Sequence, residues 1–191
     1  MPTPREWAAD LLVRSDWLIL DTETTGLNDD AEMVQLGVLS PTGAVLLDSL
    51  IRPRQPIPSD ATAIHGITDT MVSASPTFAE VFPELADIVR DGLVVSYNAP
   101  FDCRMIVQSL LGSEPIDLDS WRYINADDVQ RRWQWTCAMQ VYAEYVGEWS
   151  RRHGNYRYQR LPRAEGETGH SAIGDCRSVL TLIRQMAEGA R

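Results

Sequence analysis

Acidic side chains stand at three places in the sequence where the surrounding apolar pattern would not predict them. The stretch WLILDTETTGL places Asp21 and Glu23 at the end of a short apolar run, Asp102 follows SYNAPF, and Asp175 lies in GHSAIGDC. Successive side chains of a strand point to opposite faces, so Asp21 and Glu23 share a face if the strand continues that far. Two carboxylates held that close repel each other unless a cation or a proton lies between them.

Four acids of this kind predict a site for hard divalent cations. Mg²⁺ prefers oxygen ligands, keeps several waters and takes one or two carboxylates alongside a phosphate substrate. Four converging carboxylates are therefore too many for one ion, and they suit two ions about 3.5–4 Å apart, the arrangement that serves in-line attack on phosphodiesters. Paired cysteines and H-E-x-x-H, which would indicate zinc, do not occur. Each acid alone would be an ordinary strand end or a helix-start acid, and only the combination predicts a metal site.

His170 has a separate interpretation, because it precedes Asp175 by five residues. Residues five apart do not share a helix face, so the two are not an i,i+4 ligand pair. We expect His170 to lie on a loop just before the helix, with its ring over the metal site. An unperturbed histidine pKa near 6.5 suits a general base for a metal-bound water.

The elements that must position these residues follow from the apolar pattern. Strands are predicted at 17–21, 33–39, 44–51 and 93–98, with the turn SPTG joining the second and third. Helices are predicted after Thr68, over 78–89 with Pro83 near the first turn and Gly92 ending it, over 100–112, over 135–149 and from 172 onward. The segment 52–61 is predicted to be a loop and 150–169 a polar connection. A strand end and two helix starts can then converge, as in ligand sites of open α/β sheets.

Length and composition indicate one soluble domain over residues 1–191. The 191 residues carry a net charge of −10, and all 17 basic residues are arginine. Such an acidic chain is unlike a broad duplex binder, although a local patch or metal ions could still bind nucleic acid. No secretory signal or membrane-length apolar run is present, and three scattered cysteines fit a reducing cytoplasm. Cys103 and Cys176 follow motif acids directly and are predicted to be buried structural residues.

Three motifs together resemble those of the DEDDh 3′–5′ exonuclease family, which includes the epsilon proofreading subunit of bacterial DNA polymerase III and ribonuclease T. They are DTETTGL, NAPFD and HSAIGD, in the family's order, and the match runs from about residue 17 to 185. The resemblance implies a ribonuclease H-like α/β fold with a mixed five-stranded sheet flanked by helices. Its first three strands would be antiparallel, and RWQWT would supply the fifth.

The resemblance also implies a role for individual residues. The implied ligands of two Mg²⁺ or Mn²⁺ ions are Asp21, Glu23, Asp102 and Asp175. The implied general base is His170. Contacts to the substrate are implied for Thr22, Thr24, Thr25, Leu27, His65, Ile67, Asn98 and Phe101. Phe101 is left open between a core position and a platform for a base.

Two segments depart from the family pattern. Residues 114–132 are long and acidic, and residues 150–163 contain five arginines, two tyrosines and a histidine. The second segment is predicted either to form a strand-binding groove or to be a solvated loop that compensates an acidic chain.

The expected function is metal-dependent hydrolysis of phosphodiesters from the 3′ end of single-stranded or frayed DNA, releasing nucleoside monophosphates, in proofreading or repair. An RNA-trimming enzyme of the same family is the alternative. The sequence TTGL after Glu23 resembles the DNA-acting members more than the RNA-acting ones. A non-catalytic module that binds a polymerase or a nucleic-acid end is the alternative of another class, and the intact set of five motif residues speaks against it. Polymerase association and oligomeric state are left open.

Overall fold

A mixed sheet forms the centre of the protein. The computed structural model describes residues 2–111, 129, 133–165 and 170–189. The strands of the main sheet are β1 (Trp17–Thr24), β2 (Met33–Leu39), β3 (Val45–Leu50), β4 (Leu93–Ser96) and β5 (Gln134–Cys137). Their order is β3-β2-β1-β4-β5, with the first three antiparallel and β4 and β5 parallel to β1. The implied mixed five-stranded sheet, with its fifth strand from RWQWT, is confirmed.

Helices cover both faces of this sheet. They are α1 (Pro4–Leu12), α2 (Ser59–His65), α3 (Asp69–Val72), α4 (Phe78–Val89), α5 (Ala99–Leu111), α6 (Ala138–Val146) and α7 (Ala172–Glu188). Alternation along β1 sends Leu18 and Leu20 into a core shared with α4 and α5, and Trp17 and Ile19 into a second core with α1, α6 and α7. Among the described residues, none of the helices is long and apolar enough to cross a membrane.

Several predicted boundaries were wrong. The α1 helix was not predicted, although Thr3 and Glu6 form a capping box at its start. The α2 helix begins at Ser59, inside the segment predicted to be a loop. Pro83 lies inside α4, in its second turn, and Arg90 at a φ of 51° caps the helix in place of Gly92. Gly92 lies against the Val89 carbonyl, where a Cβ would approach to 2.8 Å.

The C-terminal third also differs from the prediction. The single helix predicted over 135–149 is divided into the end of β5 and α6, since Cys137 already has extended backbone. The predicted polar connection contains a short hairpin of β6 (Trp149–Ser150) and β7 (Asn155–Tyr156). The acidic segment 114–132 lies outside the described residues except for Val129, which is buried.

Candidate active site

The end of β1 presents two acids on the face that α7 covers. Asp21 and Glu23 continue the alternation begun by Trp17 and Ile19, so they point to the same face as that second core. Asp21 lies opposite Gly37 of β2, and Glu23 lies opposite Gln35. Glu23 is buried and Asp21 is half-buried, which is unusual for ionisable side chains without a partner.

The start of α7 brings the third motif to these acids. A Cβ on Gly37 would lie 2.8 Å from the Ala172 carbonyl carbon, so only glycine at this position lets the helix start lie so close to β2. The Ala172 N–H donates to Gln35 Oε1 at 3.2 Å, and Ser171 caps the helix through the Gly174 N–H. These contacts fix Asp175, one turn into α7, above the end of β1.

His170 lies just before α7, as predicted. Its Nδ1 is 3.3 Å from Asp175 Oδ2, and its side chain is 45% exposed. Ligand atoms of Glu23, His170 and Asp175 all lie within 4.8 Å of one another. Arg163 approaches the opposite side of Asp175, with its Nη1 3.9 Å from Oδ1.

Asp102 reaches the site from the other side of the sheet. It lies in the first turn of α5, directly after β4, and is almost fully buried. The Thr22 hydroxyl donates to Asp102 Oδ1 at 2.8 Å, and the Ser96 hydroxyl donates to the Leu20 carbonyl at 2.6 Å. The second bond ties the end of β4 to β1, and the first orients the carboxylate.

Asp21, Glu23, Asp102 and Asp175 form the carboxylate cluster; burial raises the pKa of Asp21, Glu23 and Asp102, and the neighbouring carboxylates add to this shift at Asp21 and Glu23. Burial, followed by the charges of Asp175 and Asp102, raises the pKa of Glu23 from 4.5 to about 8. Burial raises the pKa of Asp102 to about 7 against the opposing hydrogen bond from Thr22. The pKa of Asp21 is raised well above 3.8 by burial and by the neighbouring carboxylates.

The donor set fits divalent cations. Glu23 Oε1 is buried and has no hydrogen-bond partner among the described residues, so a ligand atom is available at the centre of the site. Carboxylate oxygens are the ligands that Mg²⁺ and Mn²⁺ prefer, and a bound cation would remove the repulsion that raises these pKa values. The geometry also admits His170 as a ligand beside Glu23 and Asp175.

Three of the predicted substrate contacts have their hydroxyls engaged within the protein. Thr22 points away from Asp21 and Glu23 because side chains alternate along β1, and its hydroxyl is bonded to Asp102. The Thr24 hydroxyl donates to the Gly26 carbonyl at 2.7 Å, and the Thr25 hydroxyl accepts from the Glu32 N–H at 2.9 Å. These bonds hold the site and its turn in place, and the implied contacts of Thr22, Thr24 and Thr25 to the substrate stay predictions.

The implied substrate contacts of Ile67 and His65 also stay predictions; the Ile67 side chain faces the interior, whereas His65 lies at the site. The Ile67 side chain is buried in a small apolar cluster with Val34 and Val72. Its N–H donates to His65 Nδ1 at 3.0 Å, while His65 Nε2 is buried and has no hydrogen-bond partner in the described chain. Burial lowers the pKa of His65, the backbone of Thr24 opposes this shift, and the nearby charge of His170 adds to it.

The remaining predicted contacts surround the cluster. Leu27 is 78% exposed, and its carbonyl accepts from Arg104 Nη2 at 3.0 Å. Asn98 is exposed, and its carbonyl accepts the N–H groups of Phe101 and Asp102 at the start of α5. Phe101 is half-buried against the first core, with the Arg104 guanidinium 5.3 Å from its ring centroid. Leu27 and Asn98 are accessible to a ligand, and Phe101 combines a core contact with a partly open ring.

Sequence reasoning missed the residues that position the cluster. Gly37, Gln35 and Arg163 belong to no motif, yet they fix the start of α7 or contact Asp175. Gly37 alone carried a signal, because glycine inside a strand indicates close approach of another backbone. A cavity of about 1070 Å³ between the loop after β3 and α5 contains none of the carboxylate cluster.

Comparison with known proteins agrees with this geometry. The family model described as exonuclease matches residues 18–183, a range that contains the carboxylate cluster and His170. An uncharacterized exonuclease, CP81, of Escherichia phage 186 is 38% identical over 194 residues, which cover 97% of this chain and 92% of that protein. The DNA polymerase III subunit epsilon of Pasteurella multocida is 34% identical over 95 residues, 44% of this chain and 38% of that protein.

Solved structures share the fold. Exonuclease X in complex with 5′ overhanging duplex DNA superposes with a TM-score of 0.56 at 26% identity, covering 90% of this chain and 92% of that one. Exonuclease I of E. coli in complex with a dA16 oligonucleotide gives a TM-score of 0.65 at 14% identity, covering 92% of this chain and 42% of that one.

Proposed function

The chain belongs to the exonuclease family and is a nuclease, and from this premise we propose that it removes nucleoside monophosphates one at a time from the 3′ end of single-stranded or frayed DNA. One observation carries the proposal: three separate motifs bring four carboxylates and His170 to the end of β1. Such a cluster is costly to assemble without cations, since burial and repulsion both disfavour its ionised form.

Asp21, Glu23, Asp102 and Asp175 would hold two divalent ions, Mg²⁺ or Mn²⁺. When bound, the ions would polarise the phosphodiester and lower the pKa of a coordinated water. Thr22 supports this by holding Asp102 in one orientation. The unpartnered Oε1 of Glu23 supplies the central ligand atom.

His170 would act as the general base. Its Nδ1 lies against Asp175, which orients the ring and leaves Nε2 to accept a proton from the attacking water. The same contact is compatible with His170 as a metal ligand. The two roles differ in outcome: His170→Ala lowers kcat without changing metal affinity if His170 is the base, and weakens Mn²⁺ binding if it is a ligand.

DNA is proposed as the substrate because of the proteins that this chain resembles. Exonuclease X and exonuclease I were each solved with DNA, and the epsilon subunit belongs to a DNA polymerase. A role in proofreading or repair, association with a polymerase and a cytoplasmic location are parts of the same proposal. RNA trimming is the second candidate, and a non-catalytic binding module is the third.

Digestion of 5′-labelled single strands tests the proposal. DNA and RNA oligonucleotides of one sequence are incubated with Mg²⁺, with Mn²⁺ and with EDTA, beside the Asp21→Ala variant. We expect a metal-dependent ladder that shortens from the 3′ end of DNA and is absent in the variant. Faster loss of RNA would favour the second candidate. Binding of either strand without cleavage would favour the third.

A further inference from the structure

Residues 149–160 carry positive charge, whereas the molecule as a whole is acidic. We define residues 149–160 as the hairpin segment; it contains β6, β7 and four arginines, and no acid occurs from 149 through 164 in a chain of net charge −10. Its turn, residues 151–154, is exposed, as are Arg157 and Arg160. The proposed function leaves this segment unused.

Aromatic rings stand exposed between these arginines. Trp149 and Tyr156 face each other across the two strands, with ring centroids 5.2 Å apart in an edge-on arrangement. Trp149 and Tyr158 are each 55% exposed. The cross-strand pair stabilises the hairpin itself, whereas Tyr158 has no comparable ring contact among the described aromatic pairs.

The hairpin segment is fixed to the body of the protein close to the carboxylate cluster. The Tyr97 hydroxyl, one residue before Asn98, donates to the Gln159 carbonyl at 2.6 Å, and the Arg157 N–H donates to the Glu148 carbonyl at 2.8 Å. Beyond the segment, Leu161 packs on the second core. Arg163 then comes within 3.9 Å of Asp175 Oδ1. The segment therefore leads directly from the solvent into the site.

An exposed aromatic ring can still stack on a flat ligand, and an exposed arginine can still pair with an anion. Arg151 and Arg152 repel each other, and no acid within the segment compensates them. A ligand with phosphates and flat bases would satisfy both, because arginine pairs phosphates and bases stack on aromatic rings without regard to sequence. The acidic remainder of the molecule would repel such a ligand, so a local basic track has to guide it.

We propose that the hairpin segment binds the single strand on the 5′ side of the nucleotide being removed, with Arg151 and Arg152 on phosphates and Tyr158 stacked on a base. This inference rests on the proposed function. Seven residues join Tyr156 to Arg163 and span at most about 25 Å. At about 3.4 Å per stacked nucleotide, this distance corresponds to at most roughly seven nucleotides.

Substrate length separates this role from catalysis. Three probes are compared in Mg²⁺: the p-nitrophenyl ester of thymidine 5′-monophosphate, a dT3 oligonucleotide and a dT20 oligonucleotide. The ester has no nucleotide on the 5′ side and cannot contact the hairpin segment, dT3 has only two such nucleotides, and dT20 spans the whole distance. The variants are Arg151→Gln with Arg152→Gln, Tyr158→Ala and Tyr158→Phe. Arg14→Gln with Arg90→Gln is the charge-matched control, at the opposite end of β1 and β4.

We expect kcat/KM on dT20 to fall about tenfold in the double arginine variant and in Tyr158→Ala. Tyr158→Phe keeps the ring and should behave as the wild type, and so should the control. Activity on the ester should not change, and the loss on dT3 should be smaller than the loss on dT20. For dT20, the slope of log(kcat/KM) against log salt should become shallower by about 1.4 when two phosphate contacts are lost.

Two outcomes would overturn the inference: unchanged activity on dT20, or an equal loss on all three probes, which would mean that the hairpin segment supports the site itself. If the wild type cleaves none of the probes, the proposed function fails. Fluorescence anisotropy of labelled dT20 then tests the hairpin segment independently. Equal affinity of wild type and variants in that assay would refute strand binding.

Discussion

Thr22 shows how the role of one residue can depend on a partner 80 positions away. Its hydroxyl donates to Asp102 Oδ1, and this bond opposes the rise in the pKa of Asp102 that burial causes. Thr22→Val keeps the shape of the side chain and removes the bond. We expect the pKa of Asp102 in the metal-free protein to rise above about 7, so that at a subsaturating Mg²⁺ concentration protons compete with the metal, and activity at neutral pH falls roughly tenfold and recovers at higher pH. The pH profile of kcat/KM measures this shift.

Thr22→Ser is the matched control, because it restores the hydroxyl and should restore the acidic limb of the profile. If Thr22 contacts the substrate instead, Thr22→Val would raise KM at every pH and leave the limb in place. That result would contradict the positioning role.

The raised pKa values of Glu23 and Asp102 predict an unusual dependence of stability on pH. The folded, metal-free protein retains protons on these acids up to pH 7–8, whereas the unfolded chain loses them near pH 4–4.5. The folded state therefore binds more protons in this interval, and its stability falls as pH rises through it. In EDTA we expect the Tm to be roughly 5 °C or more lower at pH 8.5 than at pH 5.5.

Glu23→Gln should flatten this dependence, because the amide has no charge to lose. Thermal melts of both proteins at the two pH values provide the comparison. A wild-type Tm that is equal or higher at pH 8.5 would show that the acids ionise without cost.

The convergence of the motif acids could be predicted from sequence, whereas the internal partners of the residues expected to contact substrate could not. An acid at the end of an apolar strand can be recognised from the few residues around it. The engagement of Thr25 with Glu32, or of Ile67 with Val34, depends on contacts between separate segments that no local pattern reports. Such contacts decide whether a motif side chain is available to a ligand.

Among the elements, the packing of α7 on β2 controls the site. Gly37→Ala would place a Cβ 2.8 Å from backbone atoms of Ala172 and Ile173, which cannot move without shifting the start of α7. We expect a destabilisation of about 1–3 kcal/mol. We also expect a loss of activity of tenfold or more, because Asp175 and His170 move with the helix. Urea unfolding and kcat/KM on a labelled oligonucleotide measure the two effects.

Val45→Ala is the control for this substitution, since it changes a half-exposed position of β3 in the same sheet. It should cost less than about 1 kcal/mol and leave activity unchanged. A Gly37→Ala protein with normal stability and activity would mean that α7 can shift at no cost.

The predictability of elements followed the strength of the local pattern. The turn SPTG and the apolar runs on either side predicted the bounds of β2 and β3 to within one residue. Gly43 has a φ of 94°, which explains why a glycine ends that turn. The division of 135–149 into β5 and α6 was missed because both halves are apolar, and pairing of Trp135 with Val94 decides the backbone there. The two-residue strands of the hairpin segment carry too short a pattern to predict.

At the scale of the whole molecule, the negative net charge means that few basic side chains are available to neutralise the carboxylate cluster. A chain with charge −10 and no lysine has few cations to place near four converging acids. Arg163 lies 3.9 Å from Asp175 and its charge opposes the rise in the pKa of Glu23, which is nevertheless raised to about 8. The remaining repulsion is left for metal ions or protons to relieve. Folding of this protein should therefore be coupled to its cofactor.

Divalent cations should stabilise the folded protein measurably. A ligand that binds only the folded state adds about 2.7 kcal/mol at a concentration of one hundred times its Kd, which is a rise in Tm of about 5–10 °C for a chain of this size. We expect this rise with Mg²⁺ or Mn²⁺ at pH 8, and a smaller one at pH 5.5, where protons already neutralise Glu23 and Asp102.

Asp21→Asn should melt higher than the wild type in EDTA and gain less from either metal, because it removes both the repulsion and a ligand. Differential scanning calorimetry on the two proteins, with NaCl matched for ionic strength, separates binding from screening. A Tm that responds to NaCl and Mg²⁺ alike would show that the acids are merely screened and that no ion is held between them.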